Sequence, residues 1–587
     1  MVLGVPSLIG AEWEAGNESL RLKTLFREEW EARLKSDPLT ATLVGEHRWD
    51  SELPDLRLTE REASQARDRQ FLDRLRDIDR ERLSRGERVS CDLFEFELTR
   101  RMKRRGFGEH RLPFTSDSGF YTTLLRGFEK MRLRHERDAE IYLSRLSKVP
   151  VYLEQNVDLM RQGMATGFTM PRIIMPGIER VIGGLSSKSE TEHPLFQTFM
   201  LGLERLPSSR RSEWERRLRT LMTSRVLPAF RDLDSFVRET YSPNARTSLG
   251  ARDLPGGEEY YRFLVADFTT LDLDPLEIHR MGLREVARIR KEMETILNQL
   301  EFQGSFSDFL NFLRTDPQFY AQSADQLLKE AAWIAKRVDG ILPAYFETLP
   351  RMPYGVAPVP RHLAPNYTTG RYSPGVPGGE RGGYYWVNTF ALEKRPLYAL
   401  PALTLHEAMP GHHLQIALAQ ELTDLPDFRR HFYPNAFGEG WALYAEKLGK
   451  EMGVYQTIYE EFGCLTYEIW RAGRLVVDTG IHMMGWSRAR AVELFVENSA
   501  LSLHNIETEV DRYISWPGQA LSYKMGELTI LRLRREAEQR LGQRFDLREF
   551  HDAVLRNGGV TLSVLEDEVA QYVAGTVHYE SEGEPSR

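Results

Sequence analysis

The sequence predicts a mainly α protein: a large helical two-lobed body with a deep cleft and one small β-element. Three observations carry that expectation. Helix-period runs of Leu, Arg and Glu fill most of the chain. The clearest strand signal is one aromatic and β-branched stretch, Tyr384 to Thr389. The chain, at 587 residues, is several times the usual domain length and can bury more than one core.

In chain order, helical patterning runs from Leu20 to about Thr240, broken by turn clusters such as Ser36-Asp37-Pro38, and residues 1–241 read as a helical scaffold lobe. Within it the run Arg100-Arg101-Met102-Lys103-Arg104-Arg105 is flanked by Glu95, Glu97 and Glu109 and reads as a solvated helix face. Ser242 to Gly257, rich in Ser, Pro, Asn and Gly, is the expected boundary. A helical segment follows over 258–349. The region 350–579 carries the chemistry: it opens on an irregular stretch, Pro350 to Gly383, too long for a bare connector and so expected to line a site. The strand and further helices, to about Ala574, complete it. The tail 580–587 is expected to be disordered.

Composition excludes several classes. With 41% hydrophobic residues and 78 basic against 86 acidic side chains, the net charge of -8 gives no general attraction to nucleic acid or to anionic membranes. Apolar stretches such as Leu397 to Leu405 are far shorter than the roughly 20 residues of a membrane span. Met1 to Gly10 lacks a basic region and a clear cleavage site, so no signal peptide is read there and the expected location is the cytoplasm. The two cysteines, Cys91 and Cys464, provide neither a disulfide framework nor a thiolate metal cage. Any metal must be held by His and carboxylates. Nothing in the sequence sets the oligomeric state.

The densest chemistry lies in His406-Glu407-Ala408-Met409-Pro410-Gly411-His412-His413. In the HExxH pattern two His at i and i+4 share a helix face and bind Zn2+, while the Glu between them activates water. Here Pro410-Gly411 interrupts the pattern. Proline lacks an N–H and its ring clashes with the carbonyl four residues back, that of His406, so the helix must bulge or break. Gly411 is expected to tolerate the backbone angles required, returning His412 to the face of His406. His413 stays the alternative ligand, or a substrate contact. Glu407 is the candidate catalytic base.

A third ligand is expected from a carboxylate on a following helix, leaving one zinc position open. Glu439 and Glu446, seven apart on one face, are the candidates. Glu439 is preferred as ligand, and Glu446 is placed behind a ligand His, where it would orient the ring.

This pattern resembles a bacterial domain-of-unknown-function family marked by HE-x-x-P-G-H-H-x-Q, here His406 to Gln415, whose members are regarded as gluzincin-like zinc peptidases. The likeness takes in Glu439 to Glu446, Asp478 to His482 and Pro517 to Lys524, and more weakly Leu25 to Gly45 and Gly256 to Glu258. It implies a zincin-like fold distantly similar to angiotensin-converting enzyme, thimet oligopeptidase and thermolysin. It also implies that Tyr384 to Thr389, with Asn388, pairs with the substrate, and that Tyr523 donates to the oxyanion. Arg512 and Lys524 are candidate contacts for a substrate carboxylate. Asp478 and His482 are candidate supporting groups, or a buried structural pair.

The function expected is Zn2+-dependent cleavage of peptide bonds in short peptides. The alternatives are a zinc hydrolase acting on a non-peptide amide or small metabolite, and an inactive peptidase-like scaffold. A di-iron oxygenase needs two ExxH motifs on separate helices, and one is found, Glu190 to His193.

Overall fold

The computed structural model describes residues 8–116, 118–206, 210–361, 364, 367–376 and 381–581, with side chains from 17 to 576. It is 72% helical and contains a single three-stranded sheet among the described residues, so the protein is mainly α. Of the tail expected to be disordered, residues 580 and 581 close the helix Leu562–Ser581, and 582–587 lie outside the described residues, as do 1–7. No helix among the described residues is long and apolar enough to cross a membrane.

Two compact units divide the chain: Met1–Glu258 with Pro426–His431, and Glu259–Leu425 with Phe432–Arg587. The first unit is helical throughout. Its helices begin and end on recognisable caps: Ser84 and Glu87 form a reciprocal box at the start of Arg85–Phe107, and Gly108, at φ 78°, closes that helix in the left-handed region. The short segment Pro426–His431 belongs to this unit through Phe428, whose ring packs 5.0 Å from Phe26 and 5.1 Å from Phe94. The basic run at 100–105 is not the solvated face expected. Arg101 pairs with Glu29 at 2.6 Å and Asp68 at 2.9 Å, Arg105 also pairs with Asp68, and Arg100 pairs with Glu97 at 2.8 Å. Those carboxylates lie 33 to 72 positions upstream or on the same turn, so the helix spends its charge within the unit.

The second unit is organised on the long helix Ile458–Met484, buried almost all round from Thr466 to His482. The helix Pro275–Gln299 lies against it through Gly282, where a Cβ would fall 2.8 Å from side-chain atoms of Leu475 and Val476. A second close approach joins the helices Asn435–Glu451 and Ser522–Leu541. A Cβ at Gly526 would lie 1.8 Å from the carbonyl oxygen of Ala436, and one at Gly440 would lie 2.4 Å from Cα of Gly526. Only glycine fits there, because what it meets is backbone.

The sheet is made of β1 (Tyr354–Pro358), β2 (Gly370–Ser373) and β3 (Gly383–Val387), in the order β1-β3-β2. β1 runs parallel to β3 and β2 antiparallel to it. Two of the strands thus come from the stretch read as irregular, being short and set among Pro and Gly. The consequence corrects the expectation for 384–389: β3 is the central strand, its two edges are taken by β1 and β2, and it has no edge left for a substrate.

Candidate metal centre

The helix Leu400–Glu407 stops at Glu407, and a new helix, His412–Glu421, starts after a four-residue link. This is a full break rather than a bulge. Trp441 donates its indole N–H to the Pro410 carbonyl at 2.8 Å, and the N–H of His413 reaches the Ala408 carbonyl at 3.2 Å, so the link's polar groups are used. Gly411 has φ -75°, an ordinary sign. It is required for proximity, since a Cβ would lie 2.0 Å from the His406 carbonyl oxygen and 2.3 Å from that of Leu405. Close approach is thus a second reason for glycine here, beside the backbone angles.

The break brings the His406 and His412 rings edge to face at 4.7 Å between centroids. Glu439, from the first turns of the helix Asn435–Glu451, completes the group: its Oε2 lies 3.5 Å from Nε2 of His406 and 3.4 Å from Nε2 of His412. The three donor atoms all lie within 4.8 Å of one another. Tetrahedral ligands at about 2.0–2.2 Å from a zinc ion stand roughly 3.3–3.6 Å apart, and the two separations from Glu439 to the imidazoles match that spacing. Burial works against a charged His406 ring, but hydrogen bonds to Glu439 and Glu446 outweigh it and raise the ring to about 10. Burial likewise opposes the Glu439 carboxylate, and the charges of His412 and His406 overcome it and hold it well below the usual range.

Behind His406, Glu446 accepts from Nδ1 at 2.7 Å, and Arg471 lies 3.3 Å from the same carboxylate oxygen. That contact orients the ring so that Nε2 faces the group. His413 is placed elsewhere. Its Nδ1 meets the Tyr372 hydroxyl at 2.9 Å, Tyr354 packs on its ring at 4.6 Å, and burial lowers it to about 4.

Glu407 points to the sheet. Its Oε2 accepts the N–H of Tyr372 at 2.7 Å, on the edge of β2 that does not face β3. One strand residue therefore holds both the carboxylate of Glu407 and the ring of His413. Tyr523 is nearly buried, its hydroxyl 3.5 Å from a guanidinium nitrogen of Arg512 and its ring 4.2 Å from the guanidinium of Arg474.

Four other expected residues are not brought to this group. Lys524 is wholly buried and spent on Glu527 at 2.5 Å, Glu468 at 2.8 Å and Glu285 at 3.2 Å. Asn388 is buried, with its amide nitrogen on the carbonyls of Ala364, Tyr367 and Thr368. It shapes the loop before β2. Asp478 and His482 do not pair: Asp478 accepts from Tyr261 at 2.5 Å and from the Gly518 N–H at 3.0 Å, while His482 Nε2 meets the Tyr513 carbonyl at 2.9 Å. Asp478 thereby anchors the turn that leads to Tyr523.

Sequence reasoning missed four groups. Tyr372 and Arg371 lay in the stretch read as irregular. Arg471 is one Arg among many on a helix. Tyr433 has its phenol over the first turn of the Glu439 helix, where a Cβ at Gly438 would lie 2.3 Å from its oxygen. It is 38% exposed, yet burial first, then the charges of Glu439, Tyr523 and Glu407, push its phenol well above the ordinary value. The Tyr-Pro pair immediately before that helix was the one available signal.

The fold and this group define a mainly helical protein with a His–His–Glu set across a broken helix. The chain belongs to the family described as bacterial protein of unknown function (DUF885), which matches residues 38–569. Among solved structures it is similar to "the putative lipoprotein from Colwellia psychrerythraea", with 27% identity over 95% of this chain and 99% of that one and a TM-score of 0.88. A second protein so described, of unknown function and from Shewanella oneidensis, shares the fold at a TM-score of 0.72, with 18% identity over 93% of this chain and 98% of that one. No curated protein matches the chain.

Proposed function

We propose that the protein is a zinc-dependent hydrolase that cleaves peptide bonds in short peptides. The observation that carries the reading is the division of labour at the broken helix: His406, His412 and Glu439 converge, while Glu407, adjacent in sequence, is turned aside and held by a backbone N–H. A carboxylate next to a ligand set and outside it is what general-base activation of water needs. Zinc, when bound by those three residues, supplies Lewis-acid polarisation and a lowered pKa for water.

The protein's own groups do the rest. Glu407, aligned through Oε2 by Tyr372, takes the proton of the attacking water on its other oxygen and returns it to the leaving nitrogen. The phenols of Tyr523 and Tyr433 are the donors for the developing oxyanion, Tyr523 steadied by Arg512 and Tyr433 seated on Gly438. A cytoplasmic location is part of the proposal, and cell fractionation tests it against the lipid-anchored placement that the name of the Colwellia protein carries.

The test is elemental analysis followed by turnover of a mixed peptide library. One zinc per chain and cleavage that falls by about 10²- to 10⁴-fold in Glu407→Gln, with zinc retained, is the expected result. Turnover of small amides with no peptide cleaved would move the substrate class. A Glu407→Gln protein as active as the wild type would overturn the mechanism.

A further inference from the structure

The helix Leu400–Glu407 starts with no side chain capping it, and Ala399 and Leu400 at that start form one wall of a cavity in the second unit. Counted to its mouth, the cavity has a volume of about 270 Å³. Its floor is buried and mainly apolar, while Thr369 and Arg395 are half-buried and mark the mouth. Arg395 is the one charged residue of the lining. Its Nε is buried with no hydrogen-bond partner, and Nη1 touches only the Thr369 hydroxyl, at 3.4 Å. It makes no ion pair among the described residues. Glu393 acts on it through charge alone and is itself exposed, and burial pushes the guanidinium below its ordinary value. Asn388, in the same lining, is spent: its amide nitrogen serves three carbonyls and its oxygen accepts the Phe390 N–H at 3.0 Å. What remains polar is one unanswered positive charge with the side chains of Thr369 and Tyr467, beside the positive end of a helix dipole.

We propose that this cavity binds one small, weakly hydrated monovalent anion, of the halide or nitrate class, held by Arg395. An arginine stays charged at neutral pH, and a buried guanidinium nitrogen without a partner costs free energy that an anion in the cavity would recover. One guanidinium answers one negative charge. Phosphate or sulfate would bring a second charge with nothing to pair it, and a hydration shell that apolar walls do not replace. Size selects in the same direction, since a body of water size takes roughly 30 Å³ and a halide little more. The position of the cavity gives the anion a structural consequence. Thr369 immediately precedes β2, whose Tyr372 N–H holds Glu407, and Leu400 opens the helix on which Glu407 lies, so the cavity sits between the two elements that position that carboxylate. Such a site needs neither a zinc ion nor a peptide substrate, and it stands or falls apart from the hydrolase reading.

The experiment replaces gluconate, too large to enter, by bromide at constant ionic strength and follows the bromide NMR line width over the zinc-loaded full chain. Saturable broadening is expected, with a Kd on the order of 10 mM or below, displaced by nitrate and not by sulfate. In Arg395→Gln the affinity should fall by at least ~10-fold, and Arg395→Lys should recover part of it. A halide on the metal would not depend on Arg395, so the variant separates the two. Crystals of the wild type soaked in bromide give the location, and an anomalous peak within about 4 Å of Arg395 Nε upholds the site. That peak alone decides the matter if Arg395→Gln does not fold. A cavity that holds only water under saturating bromide, or broadening unchanged in a folded Arg395→Gln protein, overturns the site. Displacement by sulfate as effective as that by nitrate overturns the assignment to a monovalent anion.

Discussion

Gly411→Ala is the sharpest perturbation of the broken helix. The added carbon would lie 2.0 Å from the carbonyl oxygen of His406, 2.3 Å from that of Leu405 and 2.6 Å from the carbonyl carbon of His406. Ordinary non-bonded separations are about 3.5 Å, so the two helix ends must part by at least ~1 Å. All three atoms are backbone, and no side-chain rotation can relieve them. Overpacking typically costs about 1–3 kcal/mol, and a clash of this kind belongs at the upper end. The strain falls on the residue that carries one ligand ring and on the neighbour of another. Metal distances tolerate only about ±0.2 Å, so zinc affinity should fall by at least ~100-fold. Urea unfolding of the metal-free protein reads the first effect, and competition with a chromophoric chelator reads the second. The control is Gly340→Ala, in the helix Ala324–Ile341, where nothing lies within 4 Å of the new carbon; there stability should be unchanged or rise by up to about 1 kcal/mol. A Gly411→Ala protein with wild-type zinc affinity and an unchanged urea midpoint would refute the close-approach argument.

Three further outcomes follow from the same geometry. His412→Ala should abolish zinc binding, whereas His413→Ala should keep it and lose the Tyr372 contact; a chelator titration that ranks them the other way would exchange their roles. Glu446→Gln removes the charge behind His406 and leaves Arg471 without it, and zinc affinity should drop by about 10- to 100-fold with the fold intact by circular dichroism. Asp478 tests pH: burial raises its carboxyl to about 7, against hydrogen bonds from Tyr261 and the Gly518 N–H. A folded value above the unfolded one means its contribution is fully present below about pH 4 and is lost as pH rises to about 7, a change of about 4 kcal/mol. Asp478→Asn cannot titrate, so urea midpoints should show the variant gaining on the wild type between pH 4 and pH 8; a pH-independent difference would show that this carboxyl does not set the slope.

The parts of the site legible in the sequence were those written locally. His406, His412 and Glu407 stand within seven positions, and the proline between them announces an interruption whatever the rest of the chain does. Glu439 and Glu446 needed only the assumption of a helix. The unread parts depend on distant partners. Lys524 looked available because Glu468 and Glu285 are 56 and 239 positions away, and only folding reveals that they consume it. Asn388 looked like a substrate contact because the family resemblance sets the strand beside it against the substrate, and the short β1 and β2 that cover that strand carry too little periodicity to be seen among Pro and Gly. Gly411 shows a subtler gap: the requirement for glycine was visible, but a sequence does not say whether glycine is needed for its angles or for its missing carbon.

The backbone contact between Gly440 and Gly526 has a bearing on how this protein can change over generations. Glu439 and Tyr523 sit one and three residues from that contact, on the two helices it joins. Their separation is set by main chain resting on main chain, a hard stop that no side chain transmits. Substitutions in the surrounding core can enlarge or shrink their neighbours and shift outer helices while this spacing stays put, because the stop has no volume left to lose. Divergent members of such a lineage can therefore replace most of their interior and keep the same distance between the two groups, provided those two glycines are kept.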